Sequence, residues 1–176
     1  MRSPVDADAV LETVVLEEGL TVMRCPSSGG IWIRPGAFWR WLEQQGDRPA
    51  GVVDLEDVVL GADSSAGKRC PEDGHFLTRR KVGAGVEFYV ERCPHCGGFW
   101  LDAGEWETLR AAGLARQLHH VFSDAWQARS REQARRETAE RRLESTLGAA
   151  DAQRVREFAA FMKGHPERDR ILGFLS

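Results

Sequence analysis

A stretch of closely spaced cysteine, proline and glycine residues constrains this sequence more than any other feature. Residues 92–109 are RCPHCGGFWLDAGEWETL, in which Cys93 and Cys96 stand three positions apart and a Gly-Gly pair follows directly. Proline and glycine at these positions favour a tight turn that brings two sulfur atoms side by side, and cysteines at this spacing are typical of zinc-binding turns. We therefore predict a strand that ends at Cys93, a turn around a metal ion and a second short strand.

A partner half-site is expected one hairpin earlier, because a structural zinc ion takes four ligands. Residues 70–75, CPEDGH, place Cys70 there. The intervening residues 76–92 alternate apolar and polar side chains around glycines 83 and 85, which predicts a β-hairpin that turns at these glycines. Cys70, Cys93 and Cys96 are thus three predicted zinc ligands.

The fourth ligand is open at the level of sequence. His75 is the first choice, because imidazole is a common partner of thiolates in structural zinc sites. Asp73 is the alternative and stands three residues after Cys70. Cys25 folding over the site would give an all-thiolate set. A water molecule would instead leave the open position typical of a catalytic zinc.

An earlier stretch repeats the pattern with most ligands missing. Residues 24–42 are RCPSSGGIWIRPGAFWRWL, and aligning Cys25 with Cys93 also matches Trp32 to Trp100 without a gap. In both copies alternating apolar residues precede the cysteine, as expected of a strand. We predict two copies of one ribbon-like unit, the first degenerate and metal-free because a serine hydroxyl does not readily ionise to bind zinc.

Helical segments are predicted after each copy and throughout the C-terminal third. Pro35 suits the first position of one helix, and Asp102 with Glu105 forms a capping box at the start of another. From Leu114 onward the chain is predicted as helix, with an apolar stripe over residues 114–126 and a break at Gly148.

These elements predict an α+β protein with two small zinc-ribbon-like β-hairpin/helix repeats and a helical C-terminal region. Residues 51–60 are predicted as a short buried element, and the GADSSAGK stretch after them has the composition of a flexible linker. The predicted regions are a degenerate ribbon at 1–60, a linker at 61–69, a zinc ribbon at 70–113 and a helical tail at 114–176.

Composition and charge narrow the functional classes. No run of eighteen apolar residues occurs, and the N-terminal sequence MRSPVDADAV does not resemble a signal peptide, so we expect a cytoplasmic protein that is not embedded in a membrane. Four cysteines in 176 residues are too few for a disulfide scaffold. The net charge is −3 overall and −6 within residues 1–67, unlike the concentrated basic face of a strong DNA-binding protein.

Residues 70–109 closely resemble the bacterial transcription factor IIB-type zinc-finger domain, a zinc ribbon. Its pattern Cys-Pro-X-Cys-Gly-Gly-X-Trp-Leu-Asp-X-Gly-Glu is matched completely from Cys93 to Glu105. Asp73 stands where the family pattern has a cysteine, so the resemblance does not supply the fourth ligand. It implies a zinc-binding β-ribbon with an association with transcription or nucleic acid.

We therefore predict a non-enzymatic protein in which one structural Zn²⁺ rigidifies a surface that binds a protein partner. The alternative is association with nucleic acid or the transcription machinery, favoured by Arg79-Arg80-Lys81 and the arginines of residues 129–142. Self-association through residues 114–126 is a further expectation. No catalytic or organic cofactor-binding residue is predicted. The polar residues considered for catalysis have no recognised catalytic spacing: Glu72, Asp73, His95, His119 and His120.

Overall fold

The computed structural model describes residues 1–46, residue 60 and residues 66–175. The chain divides into two compact units, Met1–Arg131 and Glu132–Ser176. The first unit combines an antiparallel sheet with helices, and the second is helical. The predicted α+β class is confirmed. The predicted region boundaries at 60, 69 and 113 stay a prediction, and the element predicted at 51–60 lies, apart from Leu60, outside the described residues.

Within the described residues of the first unit, six antiparallel strands form one sheet. They are β1 (Glu12–Glu17), β2 (Leu20–Arg24), β3 (Ile31–Ile33), β4 (Thr78–Gly83), β5 (Val86–Arg92) and β6 (Phe99–Leu101). Their order across the sheet is β1-β2-β3-β6-β5-β4. Each half of the sequence therefore contributes three consecutive strands, and the two halves meet where β3 pairs with β6.

At the centre of the sheet, where β3 pairs with β6, the side chains on both faces are buried. Trp32 is the register partner of Trp100, flanked by the pairs Ile31–Leu101 and Ile33–Phe99. Because side chains alternate along a strand, the two tryptophans point to one face and their neighbours to the other. The tryptophan face packs with Leu11 and the cysteines, whereas the opposite face carries the main hydrophobic core.

In the part of the first unit that the structure describes, three short helices cover the core face. They are α1 (Pro35–Gln45), α2 (Glu105–Ala111) and a 3-10 helix (Ala115–Phe122). Pro35 stands in the first turn of α1 as predicted, and the helix ends at Gly46. The buried side chains that these helices contribute are Phe38, Trp41, Trp106, Leu109, Leu118 and Val121. An apolar helix face pressed on an apolar sheet face is the common solution for an α+β core.

The hairpin predicted between Cys70 and Cys93 is confirmed. β4 and β5 pair antiparallel, and the turn between them contains Ala84 and Gly85 at φ 54° and 86°. Positive φ at both central residues is the geometry that matches the right-handed twist of a two-residue hairpin.

The predicted capping box at the start of α2 is formed only in part. The amide of Asp102 donates to Oε2 of Glu105 at 2.8 Å, which is one half of the box. The carboxylate of Asp102 does not cap the helix, which has Gly104 at its N-cap position and no side-chain cap. Instead, that carboxylate accepts hydrogen bonds from Nζ of Lys68 and Nε1 of Trp100, because it is buried beside them.

The helix predicted from Leu114 onward is interrupted. The 3-10 helix stops at Ser123, whose backbone is extended and whose hydroxyl accepts the amide of Trp126, so Ser123 caps the next helix. Within the apolar stripe at 114–126, Leu118 and Val121 are buried in the core of the first unit. Self-association through that stripe stays a prediction.

The C-terminal residues continue as helices. α3 spans Asp124–Met162 and contains a non-helical Gly148, which confirms the break predicted there, and α4 spans Arg168–Leu175. Within the second unit, Arg156 is paired with Glu140 and Glu144 across this break. Among the residues that the structure describes, no helix has the length and apolar character needed to cross a membrane.

Candidate metal centre

Two tight turns with the same backbone geometry carry the predicted metal ligands. In each, the amide of the first cysteine donates to a carbonyl five residues later, at 2.8 Å for Cys70 and 2.9 Å for Cys93. The amide four residues on donates back to the carbonyl of the cysteine at 2.9 and 3.0 Å. That fourth residue is Gly74 in one turn and Gly97 in the other, with φ of 77° and 81°, which a side chain would disfavour.

Backbone amides point at the sulfur atoms inside these turns. The amide of Glu72 donates to Sγ of Cys70, and the amide of Cys96 donates to Sγ of Cys93, both at 3.4 Å. Such N–H groups stabilise a thiolate, the form of cysteine that binds metals. The turns are therefore built for charged sulfur.

Four donor atoms converge between the two turns. The sulfurs of Cys70, Cys93 and Cys96 and a carboxylate oxygen of Asp73 all lie within 4.8 Å of one another. Sγ of Cys70 is 3.6 Å from Sγ of Cys96, and Sγ of Cys93 lies 3.4 Å from Oδ2 of Asp73. These four residues are positioned to bind one metal ion.

The spacing of these atoms fits a tetrahedral zinc ion. Zinc–sulfur and zinc–oxygen bonds of about 2.3 and 2.1 Å place two sulfurs about 3.8 Å apart, and a sulfur and an oxygen about 3.6 Å apart. The observed separations of 3.6 and 3.4 Å fall within about 0.2 Å of these values. Three thiolates and one carboxylate are also donors that zinc accepts.

Comparison with known families agrees with this geometry. Residues 69–112 match the family model described as transcription factor zinc-finger, of the TFIIB zinc-ribbon type. Residues 69–112 are a zinc ribbon of this family. The match covers 44 of the 176 residues. No curated protein and no solved structure matches the chain.

The zinc ribbon brings together three of the four residues chosen from the sequence, and the remaining place in the group is held by Asp73. Among the described residues, neither His75 nor Cys25 belongs to the four-donor group. Nδ1 of His75 lies 3.2 Å from Oδ1 of Asp73, on the exposed side of that carboxylate. His95 is exposed as well, and its Nδ1 is 2.9 Å from Oδ2 of Asp73.

The charge state of the donor residues in the zinc ribbon depends on whether a cation is bound. Burial raises the pKa of Cys70 and of Cys96, so that neutral thiols are favoured when no positive charge is near. Burial would also raise the pKa of Asp73, but hydrogen bonds from Cys70, from the backbone of His75 and from the His95 ring hold it well below its usual value. A bound dication reverses the preference of the thiols, because metal binding releases their protons.

A buried ionic cluster lies beside the zinc ribbon turns and was missed in the sequence. Nζ of Lys68 is 2.9 Å from Oε1 of Glu91 and 2.7 Å from Oδ2 of Asp102. Burial would lower the pKa of Lys68, but the hydrogen bond to Asp102 and the charge of Glu91 raise it. The one available signal was that Lys68 and Glu91 each stand two residues before a ligand cysteine, an offset that places them on the same side of the two turns.

Proposed function

We propose that this chain is a non-enzymatic zinc-ribbon protein in which one structural zinc ion holds the sheet rigid. The convergence of four protein donors in the zinc ribbon is the observation that carries this proposal. A set of four protein ligands closes the coordination sphere, whereas a hydrolytic zinc keeps one position open for water. The ion would tie the entry to β4 to the turn between β5 and β6, so its energetic role is to fix the hairpin.

We further propose that the first half of the sheet is a second ribbon that has lost its metal. Four pairs of equivalent residues in the two halves are separated by 67 or 68 positions in the sequence. The pairs are Ser3 with Cys70, Asp6 with Asp73, Cys25 with Cys93 and Ser28 with Cys96. Isolated bridges at similar places support the correspondence. Arg2 pairs with Val10 in the first half, and Arg69 pairs with Phe76 in the second across a loop that is one residue shorter.

Hydrogen bonds occupy the place of the metal in the first half. The hydroxyl of Ser27 donates to Oδ2 of Asp6 at 2.6 Å and lies 3.3 Å from Sγ of Cys25. Burial would raise the pKa of this thiol, but hydrogen bonds from Ser27, Ser28 and Ser3 lower it to about 7. A polar network therefore links the same four positions that converge on the metal in the zinc ribbon.

The buried ionic cluster is also replaced in the first half. Met1 and Met23 stand at the positions equivalent to Lys68 and Glu91, and both pack on the cluster that contains Cys25. An apolar pair in place of a buried ion pair avoids the cost of removing charges from water. The first half thus has the features of a packing partner rather than a metal site.

The partner surface that we propose lies in the second unit. A groove of about 500 Å³ is lined by Phe158, Met162 and Leu172 together with Lys163 and Arg168. Large apolar side chains remain exposed along this unit, with Phe174 at 85% and Phe161 at 56% of their full accessibility. Exposed apolar clusters of this kind commonly mark protein interaction sites.

The charged residues that line the groove indicate which kind of partner would bind there. Lys163 and Arg168 place two cations beside an apolar floor, which suits an amphipathic helix with apolar anchors and flanking acidic residues. The protein partner is therefore expected to present an acidic amphipathic helix.

Two experiments test this function. Elemental analysis of the full chain after dialysis against a weak chelator is expected to give one zinc per molecule, and the Cys93→Ser variant is expected to lose it. A labelled synthetic helix with leucines on one face and glutamates beside them should bind the full chain more tightly than its lysine counterpart. Phe158→Ala should weaken that binding, whereas Leu147→Ala, an exposed apolar residue outside the groove lining, should not.

The outcomes separate this function from its alternatives. Equal binding of the two peptides, or binding that Phe158→Ala leaves unchanged, contradicts the groove as the partner site. Binding to a nucleic acid, with an affinity that falls steeply as salt is added, would favour the nucleic-acid alternative. A rise in molecular mass with concentration that Phe158→Ala abolishes would show that a second copy of the chain fills the groove.

A further inference from the structure

Two exposed imidazoles flank the carboxylate of the zinc ribbon. Nδ1 of His75 and Nδ1 of His95 lie 3.2 and 2.9 Å from the oxygens of Asp73. The two rings stack with centroids 4.6 Å apart and planes inclined by 19°. The side chains of His75 and His95 are 54% and 67% exposed, whereas that of Asp73 is 17% exposed. Donor atoms of the three residues all lie within 4.8 Å of one another.

We propose that Asp73, His75 and His95 bind a second divalent transition-metal ion on the solvent side of the zinc ribbon. The proposal rests on the zinc site described above, because the two ions share Asp73. Both oxygens of this carboxylate lie near Sγ of Cys93, and Oδ1 also contacts His75 while Oδ2 also contacts His95. Asp73 therefore bridges a buried ion and an exposed one.

The distances are compatible with a metal ion at the exposed position. Bonds of about 2.1 Å to nitrogen and oxygen place neighbouring ligand atoms about 3.0 Å apart in an octahedron and about 3.4 Å apart in a tetrahedron. The observed 2.9 Å lies nearer the octahedral value, and the observed 3.2 Å lies midway between the two values. Three protein ligands leave one position open in a tetrahedral ion, or three in an octahedral one, to water or to a ligand from solution.

The donor set selects the class of metal. Two imidazoles and one carboxylate suit Zn²⁺, Co²⁺, Ni²⁺ or Fe²⁺, whereas Mg²⁺ and Ca²⁺ prefer oxygen donors. Charge favours the second ion as well, because three thiolates and one carboxylate carry two more negative charges than one Zn²⁺ neutralises. Exposure of both imidazoles makes this ion the weaker and more exchangeable of the two.

Cobalt titration of the full chain tests the proposal. The protein is first loaded with one zinc and then titrated with Co²⁺, and binding is followed by calorimetry and by the histidine proton signals in NMR spectra. We expect one further equivalent to bind, to shift His75 and His95, and to produce no thiolate charge-transfer band. His75→Gln and His95→Gln should each weaken this step by at least about tenfold, while keeping the first zinc. His165→Gln is the matched control, since His165 lies in the second unit and should leave the step unchanged.

Three results would overturn the inference, and each can be distinguished from a failure of the zinc ribbon to bind its own zinc. Absence of a second equivalent while the first zinc is present removes the exposed site alone. Loss of the first zinc in His75→Gln would make His75 a ligand of the buried ion. Equal weakening in His165→Gln would show that the added cobalt binds histidines without a defined site. If the chain held no zinc at all, the proposed function would fail before this test.

Discussion

Trp32 and Trp100 are register partners at the centre of the sheet, and both indoles are completely buried. Each ring lies over the glycine that precedes the other strand, so that Trp100 covers Gly30 and Trp32 covers Gly98. The contact is reciprocal. The junction between the two halves of the molecule therefore depends on two positions that have no side chain.

Gly30→Ala and Gly98→Ala should each destabilise the first unit. A Cβ at either position would overlap the ring of the facing tryptophan, and a buried ring has no free space into which it can move. Extra methyl groups in packed cores typically cost about 1–3 kcal/mol. Denaturant unfolding of the zinc-loaded protein would measure the loss.

The matched control for these substitutions is Gly36→Ala. Gly36 lies within α1, and a Cβ there would meet no atom within 4 Å. Because alanine is the better helix former, this variant should be as stable as the parent or slightly more stable. Equal stability of all three variants would show that the tryptophan–glycine contacts do not limit packing.

The local features of the fold could be predicted from the sequence, whereas the pairing of its two halves could not. The β4–β5 hairpin and the turns at Cys70 and Cys93 depend on glycine, proline and cysteine at short spacings, which act within a few residues. The pairing of Ile31–Ile33 with Phe99–Leu101 joins residues almost seventy positions apart. No local preference specifies that contact.

The candidate site shows the same division. Cys93 and Cys96 follow from a motif, but the choice between Asp73 and His75 depends on where the side chains point after the turn closes. Asp102 illustrates the limit further, because its position before α2 predicts a helix cap and its burial next to Lys68 gives it a different partner. Burial, not sequence spacing, decided which hydrogen bonds that carboxylate makes.

Two substitutions of Asp73 should change the zinc affinity of the ribbon in opposite directions. Asp73→Ala removes a direct ligand and should weaken zinc binding by at least about tenfold, since loss of even an outer-shell partner typically costs 10–100-fold. Asp73→Cys should tighten it, because a fourth thiolate completes the all-sulfur set typical of structural sites. Competition with a chromogenic chelator would measure both affinities.

The other fourth-ligand alternatives provide the controls for Asp73. Cys25→Ser should leave the affinity of the first zinc unchanged, because Cys25 lies outside the four-donor group. His75→Gln should weaken it less than Asp73→Ala does, because His75 contacts Asp73 without belonging to that group. Strong weakening by Cys25→Ser would require that the first half reaches over the metal. If His75→Gln strongly weakened zinc binding and Asp73→Ala had little effect, His75 and not Asp73 would be the fourth ligand.

Glu105→Gln should remove part of the pH dependence of stability. Burial raises the pKa of Glu105 from 4.5 to about 9, so the folded state holds this proton more tightly than the unfolded state. The associated stability is fully present below pH 4.5 and is lost as the pH rises toward 9. A neutral amide carries no such dependence, and it still accepts the amide of Asp102.

The free energies of unfolding of parent and Glu105→Gln should therefore diverge with rising pH. Between pH 5 and pH 8 the variant should gain roughly 1–3 kcal/mol relative to the parent at saturating zinc. Taking the difference between the two proteins cancels the pH dependence of the metal ligands. Glu107→Gln, on a half-buried position of the same helix, controls for loss of a carboxylate near the helix N-terminus. If the difference stayed constant across this range, Glu105 would already be ionised in the folded protein at neutral pH, and the prediction would be wrong.

Two substitutions in the first half should create a zinc site. Ser3→Cys with Ser28→Cys would place thiols at the positions equivalent to Cys70 and Cys96, beside Asp6 and Cys25. The zinc content of the full chain, measured by elemental analysis after dialysis against a weak chelator, should rise from one to two per molecule. The dialysis removes any exchangeable ion at the exposed histidines, so the additional zinc reports on the first half alone. Ser3→Cys with Ser145→Cys carries the same number of thiols with one on an exposed position of the second unit, and it should stay at one. Two zinc ions in both double variants, or one in both, would contradict the proposal that the first half retains the frame of a zinc ribbon.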